Sequence, residues 1–251
     1  GASGNGAVGA GGTGVGSASK PDYGAAYFYA LCERSSTKVA QETKMTSPSG
    51  SGLSEFGVAV AASGETLLVG AQNEYGPKNS SGVAYVLTRS GTVWSTQAKI
   101  TGSDSSSGDS YGQAVSVNGD TALVGAYKDD DRGGESGSAY LLTRSGTVWS
   151  QQQKLTAYDG AADDNFGEAV AVAGDRARVG ARQDDDRGSE SGSAYIYARS
   201  GTVWSLEQKL TATDGGGNDK LGNSVALDSD QILVGAQGDG DRASNAGAAY
   251  L

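Results

Sequence analysis

Histidine is absent from this chain, proline occurs three times, and cysteine occurs once, at Cys32. The lack of histidine removes the commonest metal ligand and the usual general base near neutral pH. A lone cysteine cannot form an internal disulfide, so we interpret Cys32 as a small core residue on a strand, with a reactive or intermolecular thiol as the alternative. No apolar run approaches the ~18 residues of a membrane helix, and the sequence therefore predicts no membrane span.

Positive charge is also scarce. The chain has 19 Lys and Arg against 29 Asp and Glu, which gives a net charge of −10 and a pI near 4.5. Because nothing here neutralises a row of phosphates, we expect no nucleic-acid partner and no binding to an anionic membrane surface. Apolar residues make up only 37% of the chain, and 41 residues are glycine. This composition favours a thin core spread over many short strands joined by tight turns.

One segment occurs three times in nearly the same form: GVAYVLTRSGTVWS at Gly82–Ser95, GSAYLLTRSGTVWS at Gly137–Ser150 and GSAYIYARSGTVWS at Gly192–Ser205. A fixed period of this size indicates one supersecondary unit repeated along the chain. A repeated unit builds a scaffold and a repeated surface, whereas a catalytic site needs unlike groups at one place. The repeat therefore favours a binding or structural protein over an enzyme. The tyrosines of the repeat recur every 55 residues, at Tyr85, Tyr140, Tyr195 and Tyr250.

The repeat from residue 166 to 218 predicts four strands. Glu168–Ala173 and Arg176–Ala181 flank a Gly-Asp turn, and Ser193–Ala198 is rich in aromatic and β-branched residues. Val203–Thr211 alternates poorly, so we expect it to be an edge strand. Four antiparallel strands in a period of 55 predict a blade of an all-β propeller. Helical solenoids and β-helices fit worse, because apolar stripes of helical period are absent and β-helix rungs are shorter.

The strands do not divide evenly into blades. The pattern opens on a second strand near Val8 and stops on a third strand at Ala248–Leu251, which gives about 18 strands, two fewer than five full blades. We assign residues 1–23 to a Gly-rich segment within a first partial blade and residues 24–251 to the propeller. We favour a piece of a longer propeller. Alternatives are closure by strands from both ends of the chain, and completion by strands from a neighbouring molecule.

Two short elements recur with the blades. The first, an aromatic or leucine residue followed by glycine, stands as Phe56-Gly57, Tyr111-Gly112, Phe166-Gly167 and Leu221-Gly222. The second stands as Val69-Gly70-Ala71, Val124-Gly125-Ala126, Val179-Gly180-Ala181 and Val234-Gly235-Ala236. With these two elements, which correspond to a Phe-Gly element and a Gly-Ala-Pro element without its proline, the chain resembles the FG-GAP repeat family over residues 53–251, the units of the integrin α-subunit propeller and of many bacterial extracellular proteins. The resemblance implies a β-propeller and an extracellular or cell-surface location.

Acidic residues concentrate in loops. Integrin-like FG-GAP units often carry a D-x-D-x-D-G calcium loop between the first two strands, and this chain lacks it. The loops after the second strands are acidic instead, and carboxylate pairs there are candidate Ca²⁺ ligands, since Ca²⁺ prefers oxygen. We expect Arg132, Arg187 and Arg242 to neutralise these clusters in part. The candidate ligands are Asp129, Asp131, Asp184, Asp186, Asp239 and Asp241.

Successive loops of an up-and-down blade alternate between the two rims of the disc. The acidic loops therefore share one rim with the acidic links between blades, and the hairpins at Arg89, Arg144 and Arg199 lie on the other. Three interpretations of the acidic rim stay open: solvated loops, a Ca²⁺ site, and a surface for a basic partner. Apart from Ca²⁺, the sequence indicates no cofactor.

The tryptophans Trp94, Trp149 and Trp204 share the 55-residue period. We expect them to pack between blades, and stacking on sugars is the alternative. No nucleophile has a partner base, so we expect no enzyme. The sequence favours a non-enzymatic extracellular module for adhesion, recognition or assembly, with a protein or glycan partner at the acidic rim. Alternatives are a structural subunit of a filament or surface coat, formed by self-assembly, and a lectin.

Overall fold

The computed structural model describes residues 5–10, 24–31, 39–50, 52–228 and 231–251, and Cys32 lies outside them. Within these segments the chain forms 18 strands and no helix, so none of them holds a helix that could cross a bilayer. The strands are β1 (Asn5–Ala10), β2 (Ala25–Leu31), β3 (Val39–Met45), β4 (Val60–Ser63), β5 (Thr66–Ala71), β6 (Val83–Ser90), β7 (Val93–Ile100), β8 (Ala114–Asn118), β9 (Thr121–Ala126), β10 (Ser138–Ser145), β11 (Val148–Leu155), β12 (Phe166–Ala173), β13 (Arg176–Ala181), β14 (Ser193–Ser200), β15 (Val203–Leu210), β16 (Leu221–Asp228), β17 (Gln231–Ala236) and β18 (Ala248–Tyr250).

The strands form five antiparallel sheets, each in chain order, and we number them blades 1 to 5. Blades 2, 3 and 4 have four strands (β4–β7, β8–β11 and β12–β15), while blades 1 and 5 have three (β1–β3 and β16–β18). The first strand of each four-stranded blade lies innermost, because β4 packs against β8, β8 against β12, and β12 against β16. This arrangement confirms the all-β propeller of antiparallel blades.

Blade 4 shows how closely the repeat pattern predicts the strands. β13 spans the predicted residues, Arg176–Ala181, and the predicted edge strand is β15, outermost in its sheet. β12 begins two residues earlier than predicted, at Phe166, because a bulge carries the strand past Gly167. Such bulges add a residue that pairs with nothing opposite and bend the strand.

The two recurring elements meet where neighbouring blades touch. Gly125 on β9 lies so close to the next blade that a Cβ on it would overlap the carbonyl oxygen of Gly167. Gly167 itself has φ of 96°, a conformation that favours glycine. Both glycines are therefore required by geometry, one by close approach and the other by its backbone conformation. The same approach recurs at Gly70 with Gly112 and at Gly180 with Gly222.

The hydrophobic core lies mainly between blades. The ring of Phe166 is fully buried and meets Tyr195 edge-on, with 5.1 Å between ring centroids. Trp149 packs between blades 2 and 3, and Trp204 packs between blades 3 and 4. Trp94 packs against Phe28 of blade 1, with 4.8 Å between their ring centroids. The predicted packing role of the tryptophans is thus confirmed.

Candidate functional site

The acidic rim consists of the loops after the second strands (127–137, 182–192 and 237–247) and the links between blades (101–113, 156–165 and 211–220). A single side chain shows that the two sets of loops meet. The hydroxyl oxygen of Tyr140 lies within hydrogen-bond distance of Asp104 in a link and of Asp129 in a loop, at 2.8 Å each. The predicted grouping of loops and links on one rim is therefore present in blade 3.

A lysine lies at the centre of this acidic group in blade 3. The Lys154 Nζ, on the outermost strand β11, lies 2.7 Å from Asp104, 3.0 Å from Asp129 and 2.6 Å from Asp131. Its ammonium also lies over the ring of Tyr140, 5.2 Å from the centroid. Three carboxylates thus surround one cation, and the ring of Tyr140 covers its remaining side.

Blade 4 repeats the arrangement with nearly the same distances. The Lys209 Nζ lies 2.8 Å from Asp159, 2.8 Å from Asp184 and 2.7 Å from Asp186. The three carboxylates have oxygens within 4.8 Å of one another, a spacing compatible with a metal ion. The ammonium occupies the centre of this group, so lysine provides the positive charge that a bound cation would otherwise supply.

Ion pairing and burial act differently on two sets of carboxyls. Burial opposes ionisation of Asp104 and Asp159, but hydrogen bonds from Lys154 and Lys209 outweigh it and lower the pKa of each carboxyl. Asp109 is nearly fully buried without such a lysine contact. Burial, with the nearby charges of other aspartates, raises the pKa of Asp109 to about 6.

Asp164 is the counterpart of Asp109 in blade 4, and burial raises its pKa to about 6 as well. Each of the two carboxylates accepts a backbone hydrogen bond that closes its link, from Ser106 at 2.6 Å and from Ala161 at 2.7 Å. These aspartates shape the turns of the links. Their burial leaves them no direct part in binding a partner.

The order of elements in the fold agrees with a sequence comparison. A family model described as FG-GAP repeat matches residues 39–87, 94–142, 149–197 and 204–251, most of the chain. The chain belongs to the FG-GAP repeat family. Repeats of this family build β-propeller modules that often serve recognition or adhesion and are typical of extracellular proteins.

Two further comparisons are less informative. None of the curated proteins matches the chain significantly. Among solved structures, the crystal structure of the Saccharomyces cerevisiae Sqt1 is similar with 10% sequence identity and a TM-score of 0.42. The match covers 71% of this chain and 41% of that one, so the chain spans less than half the length of Sqt1.

The FG-GAP blades place the candidate calcium ligands in two settings. In blades 3 and 4 the four aspartates Asp129, Asp131, Asp184 and Asp186 surround a lysine ammonium. In blade 5 the ring hydroxyl of Tyr250 donates to Asp239 at 2.9 Å, and Asp241 is exposed. Calcium binding by these residues stays a prediction.

The expectation that arginines neutralise the acidic clusters was wrong for Arg132 and Arg187, and for Arg242 it stays a prediction. Lysines on the outermost strands make the ion pairs, while the Nε of Arg187 instead lies 3.4 Å from the hydroxyl of Thr211. These arginines do not reach the carboxylates, because Arg132 and Arg187 directly follow the aspartates in sequence and lie at the loop tips, where both are exposed.

Blade 2 contains a cluster of an acid, a lysine and a tyrosine like those of blades 3 and 4, and the sequence analysis did not identify it. Glu74 is buried there and accepts hydrogen bonds from Tyr85, from Ser47 at 2.8 Å and from Lys99 at 2.9 Å. The signal was the same 55-residue period: Glu74 precedes Asp129 by one repeat, and Lys99, Lys154 and Lys209 keep the period as well.

The opposite rim carries a different repeated arrangement. Arg199 stacks over Trp204, 5.3 Å from the ring centroid, and its guanidinium lies 2.6 Å from Asp175. Arg144 stacks over Trp149 in the same way and lies 2.7 Å from Asp120. These hairpins therefore hold the tryptophans in place, and Trp149 and Trp204 are too buried to stack on a sugar.

Proposed function

We propose that this chain is a non-enzymatic recognition and adhesion module of an extracellular or cell-surface protein, with a basic protein partner bound at the acidic rim. The support is a single arrangement: the buried carboxylates of Asp129 and Asp184 pair with half-buried lysines and so order the loops, while other carboxylates of the same loops are exposed. Asp130 and Asp185 are exposed, and each accepts a hydrogen bond from a backbone N–H, of Glu135 at 2.8 Å and of Glu190 at 2.7 Å.

Pre-organisation is the physical reason to expect binding here. A loop that is already ordered loses little conformational entropy when a partner binds, so its contacts contribute more fully to affinity. Regularly spaced negative charges also steer a basic partner and speed its association. The solvated-loop interpretation needs no such ordering, since free loops keep a protein soluble equally well. A glycan partner is not proposed, because the repeated tryptophans are packed between blades.

A charge-matched pair of variants tests the proposal. The double variant Asp130→Asn/Asp185→Asn removes two exposed charges from the acidic rim and leaves an amide oxygen to accept each backbone hydrogen bond. The control Asp120→Asn/Asp175→Asn removes two exposed charges from the opposite rim. Binding of a fluorescent deca-lysine peptide is measured by anisotropy at about 0.15 M salt, where distant charges are screened.

We expect the first variant to bind deca-lysine about twofold to thirtyfold more weakly than the unchanged protein, since each of the two exposed ion pairs contributes roughly 0.2–1 kcal/mol. The control variant should bind as the unchanged protein does. An equal loss in both variants would mean that net charge alone attracts the peptide, and the rim would then not be a recognition surface. Melting curves of both variants check that the fold is intact.

A further inference from the structure

The rim opposite to the acidic rim has a polar groove between blades 2 and 3. The groove has a volume of about 410 Å³ and is open to solvent. Both blades are complete four-stranded sheets. Two guanidiniums, one carboxylate and three hydroxyl side chains contribute to its lining, from Arg89, Arg144, Glu65, Ser63, Thr66 and Thr88. Guanidinium and hydroxyl groups are donors of the kind that bind an anionic oxygen.

Two of the three repeated arginines on this rim have a carboxylate of their own blade on one edge of the guanidinium. In blade 3 a single oxygen of Asp120 lies 2.7 Å from Nε and 2.7 Å from Nη2 of Arg144. In blade 4 an oxygen of Asp175 lies 2.7 Å from Nε and 2.6 Å from Nη2 of Arg199. The same edge of the guanidinium therefore binds a carboxylate in both copies, and such charge-assisted hydrogen bonds are strong.

Arg89, the third arginine, lacks this arrangement. The turn of blade 2 has Glu65 where the next two turns have aspartate, so its carboxylate is one methylene farther from the backbone. The Oε1 of Glu65 lies 3.5 Å from Nη2 of Arg89, and 67% of the Glu65 side chain is exposed. The Nε of Arg89 is buried and has no hydrogen-bond partner among the described residues. A buried donor without a partner is unfavourable, so an anionic oxygen on this edge would be stabilised.

The second guanidinium of the groove has no donor edge to offer. Besides its two contacts with Asp120, Arg144 donates from Nη1 to the hydroxyl of Thr66 at 2.9 Å. It also stacks over Trp149, 5.2 Å from the ring centroid, whereas Arg89 lies 5.8 Å from the ring centroid of Trp94. Arg144 is thus held by its own contacts, and Arg89 is the lining residue with an unpaired donor.

We propose that this groove binds a carboxylate ligand, with one ligand oxygen bridging Nε and Nη2 of Arg89. The ligand would take the place that Asp120 and Asp175 take in the next two blades, and this is why we assign a carboxylate. The groove is larger than one carboxylate group, so a small carboxylic acid fits it, and so does an aspartate or glutamate side chain of a polypeptide. This inference does not depend on the proposed function, because the groove lies on the other rim.

The test follows the Nε–Hε signals of the arginines by NMR of the ¹⁵N-labelled protein, since a hydrogen bond to a carboxylate moves such a proton signal downfield. The probes are acetate and a tetra-glutamate peptide with blocked ends. Acetamide and tetra-glutamine are the uncharged controls, and sodium chloride keeps the ionic strength constant. We expect the Arg89 signal to move towards those of Arg144 and Arg199 and to saturate, with a Kd for the peptide below about 10 mM.

Two variants that conserve charge locate the site. Glu65→Asp gives blade 2 the turn carboxylate of blades 3 and 4, which should then occupy the edge of Arg89. In this variant the Arg89 signal should lie downfield before any ligand is added, and the peptide should bind at least tenfold more weakly. The matched variant Asp120→Glu gives blade 3 the turn of blade 2, so the Arg144 signal should begin to respond to the peptide.

The two probes separate the possible sources of the carboxylate. A shift with the peptide alone would assign the groove to a polypeptide, a shift with acetate alone to small acids, and a shift with both to either source. The inference would be overturned by equal shifts with the uncharged controls, or by an equal response in Glu65→Asp. No shift of the Arg89 signal up to about 100 mM acetate and about 10 mM peptide would overturn it as well. Loss of deca-lysine binding at the acidic rim would not bear on it.

Discussion

Arg178 is the charged residue with the most unfavourable surroundings among the described residues. Its side chain is fully buried between blades, on β13, with 0% of its surface exposed. Only one of its nitrogens, Nη1, has a partner, the carbonyl of Ala177 at 2.9 Å, while Nε and Nη2 have none. Burial lowers the pKa of Arg178 to about 10, and it stays charged at neutral pH. The same repeat position holds leucine in the other copies, at Leu68, Leu123 and Leu233.

We expect Arg178→Leu to stabilise the protein. Each buried donor without a partner costs about 1–3 kcal/mol, and two such nitrogens would be removed. The smaller leucine leaves unfilled volume, which offsets part of the gain by about 1–2 kcal/mol. The free energy of unfolding should therefore rise by about 2 kcal/mol, within the range seen when buried charges are replaced by apolar residues. At this chain length, that corresponds to a rise in Tm of about 4–8 °C.

Chemical denaturation followed by tryptophan fluorescence measures the change, and calorimetry checks the shift in Tm. The matched control is Arg176→Leu, two residues earlier on the same strand, where the side chain is partly exposed and lies 3.3 Å from Glu207. This control should change the free energy of unfolding by no more than about 0.5 kcal/mol. If Arg178→Leu left stability unchanged or lowered it, the guanidinium would have to be satisfied, and the reasoning would be refuted.

Three further predictions concern charge and backbone contact. Lys209→Met leaves three close carboxylates without a counter-ion, so thermal melts should show that the free energy of unfolding falls by about 3 kcal/mol. Millimolar Ca²⁺ should restore part of this stability, and no effect of Ca²⁺ would contradict the prediction. The folded-state pKa of Asp109 and Asp164 is about 6, above the ordinary value of 3.8 for an aspartate, so the folded state binds protons more tightly. Stability should therefore fall by about 2–3 kcal/mol per group as pH rises from about 4 to 6. In the double variant Asp109→Asn/Asp164→Asn the denaturation midpoint should depend less on pH across this window. Gly125→Ala should cost about 4 kcal/mol or more, because its Cβ would overlap the next blade, whereas Gly119→Ala, with open space around it, should cost only about 1 kcal/mol by urea unfolding.

The blades could be predicted from the sequence because each structural requirement recurs with the same period. The strands of blade 4, the edge position of β15 and the packing of Trp204 all follow from residues close together in one repeat. The rim shared by loops and links follows too, since it depends only on strands alternating in direction. For these features, local pattern and topology agree.

The centre of the acidic clusters could not be predicted in the same way. Asp129 and Lys154 are 25 residues apart, one in the loop after β9 and the other on β11, and the preceding link adds Asp104 from another part of the repeat. Only the folded sheet brings these three residues together. A search for charges that are neighbours in sequence therefore selects Arg132 and not Lys154. Arg178 could not be identified from the sequence for a different reason. The pattern of its strand is ordinary, and burial of its guanidinium becomes unfavourable only when the next blade covers it.

The contact between Gly125 and the carbonyl of Gly167 also limits how this protein can change in evolution. Because these blades meet through backbone atoms, a shift of one residue in β9 would move a side chain into the space that Gly125 leaves for Gly167. Adding or removing a whole unit of 55 residues preserves all of these contacts, whereas a single-residue insertion in β9 does not. We therefore expect length variation among related chains to occur as complete repeats, or within loops such as 182–192, and not within the strands.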